Sequence, residues 1–170
     1  MRITLVQMRC EKGDIDGNLT KIAAEIAAAR ERGAQIVVFP EMSITGYIDP
    51  AVWPDAVLDL DSSPVQKFVA MTDGRPITAI AGIVERNPDG KPFITQIVAK
   101  DGKLTGVYRK NTVVDEELEW FSPGEGVPIF EHRGVPFGIS ICADIDNPAV
   151  FGGSVAQGAR FVLELAAPGL

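Results

Sequence analysis

PITAIAGIVERNPDGKPFITQIVAKDGKLTGVYRK, from Pro76 to Lys110, decides the fold. It reads as three consecutive strands. The runs PITAIAGIVER, PFITQIVAK and KLTGVYRK are separated by NPDGK and by Asp101-Gly102, the short Gly-containing turns that close antiparallel hairpins. Working outward, the pattern changes period. On the N-terminal side, RITLVQ (Arg2 to Gln7) reads as a strand. GNLTKIAAEIAAARERG then places Leu19, Ile22, Ala23 and Ile26 at helical spacing, with Asn18 as the expected N-cap, Arg30 and Arg32 in the last turn and Gly33 as the stop. QIVVFP (Gln35 to Pro40) is a continuous apolar run, as expected of a strand covered on both faces. SSPVQKFVAMT (Ser62 to Thr72) predicts a second helix with Pro64 in its first turn.

On the C-terminal side an acid-rich loop runs from Asn111 to Gly126. VPIFEHRG and VPFGISIC then predict two more strands joined at Arg133-Gly134. PAVFGGSVAQGA predicts a helix diluted by glycine, and RFVLELA a last strand. The fold class is α/β, a layered domain with hairpins in its middle instead of uniform βαβ units.

Composition sets limits on function. The 170 residues are 46% hydrophobic and 23% charged, with a net charge of −7. That length suits one domain with a substantial core. The acidic balance, uninterrupted by any basic cluster, argues against a nucleic-acid partner. No apolar stretch approaches the roughly 20 residues of a spanning helix, so no membrane role is expected. MRITLVQMRCEKGD lacks the features of a signal peptide. Cys10 and Cys142 form neither a disulfide framework nor a metal spacing. A cytoplasmic, reducing location is the expectation.

Three chemically capable side chains stand at strand ends, where α/β sheets gather functional groups. Glu41 follows QIVVFP, Lys110 ends KLTGVYRK, and Cys142 ends VPFGISI. Each alone is weak, since such carboxylates and lysines are commonly solvated and a lone cysteine is commonly a small buried hydrophobe. Together they are sufficient for acyl transfer. A thiol of pKa ~8.5 needs a base or positive charge beside it. A desolvated carboxylate can be that base, and a lysine can hold an oxyanion. His132 is the one histidine, but it precedes the Arg133-Gly134 turn while Cys142 lies at the far end of the next strand. Cys10 has no acid or base pattern around it and reads as structural.

VVFPEMSITGY (Val37 to Tyr47), VYRK (Val107 to Lys110) and ISICAD (Ile139 to Asp144) resemble, in order, the three signature segments of the nitrilase superfamily, the carbon–nitrogen hydrolases. The resemblance covers nearly the whole chain. It implies an α-β-β-α sandwich and a catalytic set of Glu41, Lys110 and Cys142, with the Ala143 N–H in the oxyanion hole. A second glutamate precedes an aromatic-Phe-x-Pro-Gly stretch in many members. In EELEWFSPG that spacing selects Glu117, with Glu116 and Glu119 as competitors. The resemblance further places Asn111 and Asp144 in the substrate pocket, and Tyr47 and Trp53 are candidates for its wall. It implies a small-molecule amide and water as reaction partners, no metal and no organic cofactor.

The departures bear on substrate. Cys142-Ala143-Asp144 differs from the Cys-Trp-Glu of true nitrilases and points to an amidase or carbamoylase. Asn111-Thr112 stands where His-Leu is common. An inactive scaffold or interaction module is the alternative. Residues 1–170 are expected to be one carbon–nitrogen hydrolase domain, incomplete at its C-terminal side because the family continues past RFVLELAAPGL. Phe161, Val162, Leu163 and Leu165 would then leave an apolar sheet face open, beyond what a monomer tolerates, and a homo-oligomer is expected.

Overall fold

The computed structural model describes residues 1–167. The three-strand stretch forms as its pattern requires. β4 (Thr78–Glu85) pairs antiparallel with β5 (Phe93–Lys100), from Thr78↔Lys100 to Glu85↔Phe93. β5 continues into β6 (Lys103–Arg109), with one register shift between Val98 and Ala99. Asp101 and Gly102 both take positive φ, 51° and 68°, as a two-residue turn matching the twist of its strands requires.

β1 (Ile3–Leu5) and β2 (Ile36–Val38) add to β4 in parallel, and a two-residue strand, β3 (Val57–Leu58), pairs with the end of β4. The first sheet therefore runs β1-β2-β4-β5-β6 with β3 beside β4. β7 (Phe130–His132), β8 (Val135–Ile141) and β9 (Val162–Leu165) form the second, β8 and β9 in parallel.

Alternation sorts these strands into layers. Val37, Ala79, Ala81 and Ile83 face α1 (Ile15–Glu31) and α2 (Ser63–Ala70), packing with Leu19, Ile22, Ile26, Val65 and Phe68. Ile36, Val38, Ile80 and Val84 face the other way and pack with Phe137, Ile139 and Ile141 of the second sheet. α4 (Pro148–Ala156) covers the outer side of β8, where the Ser154 side chain meets Gly138 and any Cβ there would collide with it. The result is an α-β-β-α sandwich. No described helix is long and apolar enough to cross a membrane.

Three sequence expectations need correction. α1 is capped by Asp14, whose side chain accepts from Gly17 N at 3.1 Å. Asn18 lies inside the first turn, fully buried, and its amide joins the helix start to Glu11 and to Ile44 O. The Asn111–Gly126 loop contains one helical turn, α3 (Glu117–Trp120). Finally, β9 does not leave its apolar face open. Leu163 and Leu165 are buried between the sheets, Phe161 stacks on Phe137 at 5.5 Å between centroids, and Glu164 takes the outer side. Pro168, Gly169 and Leu170 of that segment lie outside the described residues.

His132 joins the two sheets. It is buried, and Nδ1 lies 2.8 Å from Thr78 Oγ1, while Nε2 has no hydrogen-bond partner. Burial, with Lys100 and Arg133 nearby, holds its pKa below the ordinary imidazole value. The unfolded chain therefore binds a proton that the native chain excludes, from about pH 6.5 downward. This contribution to stability is whole above pH ~6.5 and falls below it, by at most about 1.4 kcal/mol per pH unit. Comparing wild type with His132→Asn in urea unfolding from pH 7.5 to 5 isolates it. The expected result is a stability difference that moves steadily against wild type as the pH falls. A difference independent of pH would show that His132 is not the titrating group.

Candidate active site

Glu41 stands where the chain leaves β2 and folds back over β4. The turn is tight, and Met42 sits at φ 50°. Ile44 N donates to Gly82 O and Gly82 N donates to Ser43 Oγ, both at 2.9 Å. A Cβ at Gly82 would run into the backbone of Met42, so glycine at this position of β4 lets the Glu41 turn lie directly on the sheet. Glu41 is thereby fixed at the C-terminal end of the parallel strands, only 1% exposed.

Lys110 follows β6, and its backbone accepts from Gly124 N at 2.7 Å. Its side chain is buried, and Nζ lies 3.0 Å from Glu41 Oε1 and 2.7 and 2.8 Å from the two Glu117 oxygens. α3 explains why Glu117 is the partner. The single turn directs Glu117 inward, while Glu116 and Glu119 face solvent. Val114 N and Tyr47 Oη also donate to Glu117, at 3.2 and 2.8 Å, and Ala167 N donates to the outer oxygen of Glu41 at 3.1 Å.

These surroundings set the protonation tendencies. Burial pushes the Glu41 carboxyl above its ordinary range, against the opposing pull of Lys110 and the Ala167 N–H. For Lys110, burial favours the neutral amine, but the two carboxylates outweigh it and the pKa is raised, so the ammonium persists. Burial likewise raises the Tyr47 phenol, and its bond to Glu117 adds to this, leaving it a hydrogen-bond donor.

Cys142 begins a 3₁₀ turn, Cys142–Asp146, directly after β8, and adopts φ 47°. A non-glycine residue in the left-handed region is uncommon and strained, and is held by its surroundings. The thiol faces a cavity of about 470 Å³ whose lining includes Tyr47, Trp53, Glu117 and Trp120. Burial pushes its pKa up and the Glu41 charge adds to this, while Lys110 and the Ala143 N–H pull the other way. A second cavity of about 640 Å³, lined in part by Glu41 and Cys10, shares Lys12, Tyr47 and Ala167 with it.

Glu41, Lys110 and Glu117 thus form one hydrogen-bonded cluster, and Cys142 feels the charge of all three. Tyr47 and Trp53 wall the cysteine's cavity. Asn111 and Asp144 do not. Asp144 is fully buried and its carboxylate is turned onto backbone N–H groups and Tyr108, while the Asn111 amide donates to Gly126 O at 3.0 Å. The pocket placement that the resemblance implied for these two is not met, because the backbone N–H groups of two turns take up the carboxylate. His132 is committed to Thr78. The Tyr47–Glu117 contact spans 70 residues, and nothing local in TGYIDP signals it.

A family model described as carbon-nitrogen hydrolase matches residues 2–168. A glutamine-dependent NAD(+) synthetase from Thermotoga maritima is 32% identical over 163 residues, covering 93% of this chain and 28% of that protein. An (R)-stereoselective amidase from Pseudomonas sp is 26% identical over 163 residues, covering 96% of this chain and 59% of that protein. The crystal structure of an amidase from Nesterenkonia sp. aligns with a TM-score of 0.86 at 26% identity, covering 98% of this chain and 64% of that one. The chain spans less than two thirds of each of these relatives. Since the family match runs through almost every element of the sandwich, from β1 past β9, this chain belongs to the carbon–nitrogen hydrolase family of the nitrilase superfamily.

Proposed function

We propose that the chain hydrolyses the C–N bond of a small amide through a thioester formed on Cys142. The observation that carries this reading is the buried Lys110 held between Glu41 and Glu117 next to a strained, cavity-facing cysteine. Glu41 takes the thiol proton as the sulfur attacks the carbonyl carbon. Its raised pKa brings a carboxylate closer to the working pH, where a general base is most effective. The Lys110 ammonium and the Ala143 N–H stabilise the oxyanion. Protonated Glu41 then passes its proton to the leaving nitrogen, the C–N bond breaks, and ammonia or an amine departs. Water gives a proton to Glu41 and attacks the thioester, releasing the acid and restoring the thiol. Glu117 fixes the ammonium so that its direction does not change between the two steps.

Glutamine is one substrate within this reading, favoured by the similarity to glutamine-dependent NAD(+) synthetases. A small amide or carbamoyl compound is the other, favoured by the amidase relatives. Ammonia release from glutamine, simple aliphatic amides, carbamoyl amino acids and the matching nitriles discriminates them. Amides or carbamoyl compounds are expected to turn over faster than nitriles, since Ala143-Asp144 follows the cysteine. Nitriles turning over faster than their amides would overturn the assignment of substrate class.

A further inference from the structure

We infer that Asp144 is a positioning residue that locks the nucleophile turn to the lysine segment, setting the geometry between Cys142 and Lys110. This rests on the hydrolytic reading above. The two groups come from different sheets, Lys110 from the end of β6 and Cys142 from the end of β8. Asn147 Nδ2 reaches across to Thr112 Oγ1 at 3.0 Å, and the denser link is made by Asp144. Asp144 Oδ1 accepts from Asn111 N and Thr112 N, the two residues that follow Lys110, at 3.1 and 2.7 Å. Oδ2 accepts from Ile141 N, the residue before Cys142, at 3.1 Å, and from Tyr108 Oη at 2.7 Å.

The carboxylate is fully buried and these bonds fill its acceptor sites. Burial and the bond to Asp144 both push the Tyr108 phenol up, so it stays a donor. Every partner is a donor, so an acceptor-only group is required. Asparagine would turn an N–H₂ group onto two of them. Buried charged hydrogen bonds of this kind are strong and directional. They also hold Cys142 at its φ of 47°, since Ile141 N on one side and the 3₁₀ turn on the other are anchored by the same side chain.

A displacement of about 1 Å between reacting groups can lower a rate about 10²-fold without weakening substrate binding. Asp144→Asn is therefore expected to lower kcat about 10²-fold with KM nearly unchanged, and Tyr108→Phe about tenfold. In a Cys10→Ser background, alkylation of Cys142 by iodoacetamide should slow in the same order, with its pH profile displaced. Circular dichroism and melting give the folded fraction, to which each rate is referred. Wild-type kcat and alkylation profile per folded molecule in both variants would overturn the positioning role and leave only a structural one. If Asp144→Asn does not fold, Tyr108→Phe decides on the same criteria. Wild-type protein without amide turnover would overturn the hydrolytic reading instead, and the alkylation profiles would still test the positioning.

Discussion

Cys142→Ala is expected to bring amide hydrolysis down to the uncatalysed background, a loss on the order of 10⁶ in kcat, as removal of the nucleophile from a concerted catalytic unit does. The remaining groups cannot replace it. Glu41 could activate water, but without the sulfur no thioester can form. The fold should be unaffected. Cysteine and alanine both carry a Cβ, so the strain at φ 47° is the same in each, and the half-buried sulfur also packs against the core between the sheets, so its loss costs only a little stability. A native fold with melting at most slightly lowered, and no ammonia release, is the expected pair of observations. Retained turnover, particularly if His132→Ala abolished it, would remove the Glu-Lys-Cys assignment.

Lys110→Met is expected to damage both rate and stability. Loss of an oxyanion donor lowers the rate about 10²–10³-fold. The stability effect comes from what is left behind. Glu41 and Glu117 are buried, and without the ammonium their charges face each other with only N–H groups and Tyr47 to offset them. Breaking a buried ion pair by deleting one partner costs about 3–5 kcal/mol. The sign of the pH dependence follows. Burial already raises Glu41, and removing Lys110 raises it further, so the folded variant takes up protons that the unfolded chain releases. The variant should be closest to wild type near pH 4.5 and lose ground as pH rises through the raised carboxyl pKa. Urea unfolding at pH 5 and pH 8 measures this. A variant equally stable relative to wild type at both would show that the lysine does not neutralise the carboxylates.

The layers and the strand order near the centre were legible because hairpin turns and the switch between two-residue and 3.6-residue periods are local signals. The placement of Glu41, Lys110 and Cys142 at strand ends was legible because local pattern announces each of those strands. The resemblance singled out Glu117 over Glu116 and Glu119, and one helical turn points that one carboxylate inward. What escaped the sequence depends on contacts between distant segments. Asp14 and Asn18 are both good caps, and the choice was made by Asn18's bonds to Glu11 and to Ile44, 26 residues on. Asp144 resembles a pocket residue until Asn111, Thr112 and Tyr108 arrive beside it. The left-handed backbone of Met42 and Cys142 is written in no glycine, so it is invisible without the surroundings that enforce it.

The hydrogen bond from Ala167 N to Glu41 joins residues 126 positions apart. It gives the site a place in time. Translation at about 5–20 residues per second leaves roughly 6–25 s between the appearance of the two residues on the ribosome. For most of that interval the glutamate turn and, later, the lysine exist on a nascent chain without Cys142 or β9. The thiol therefore emerges into a half-built sandwich and gains its neighbours almost at once, as β9 docks beside β8. The contacts that bring Cys142 and the segment after β9 to Glu41 therefore form late in synthesis, after every strand of the first sheet has been made.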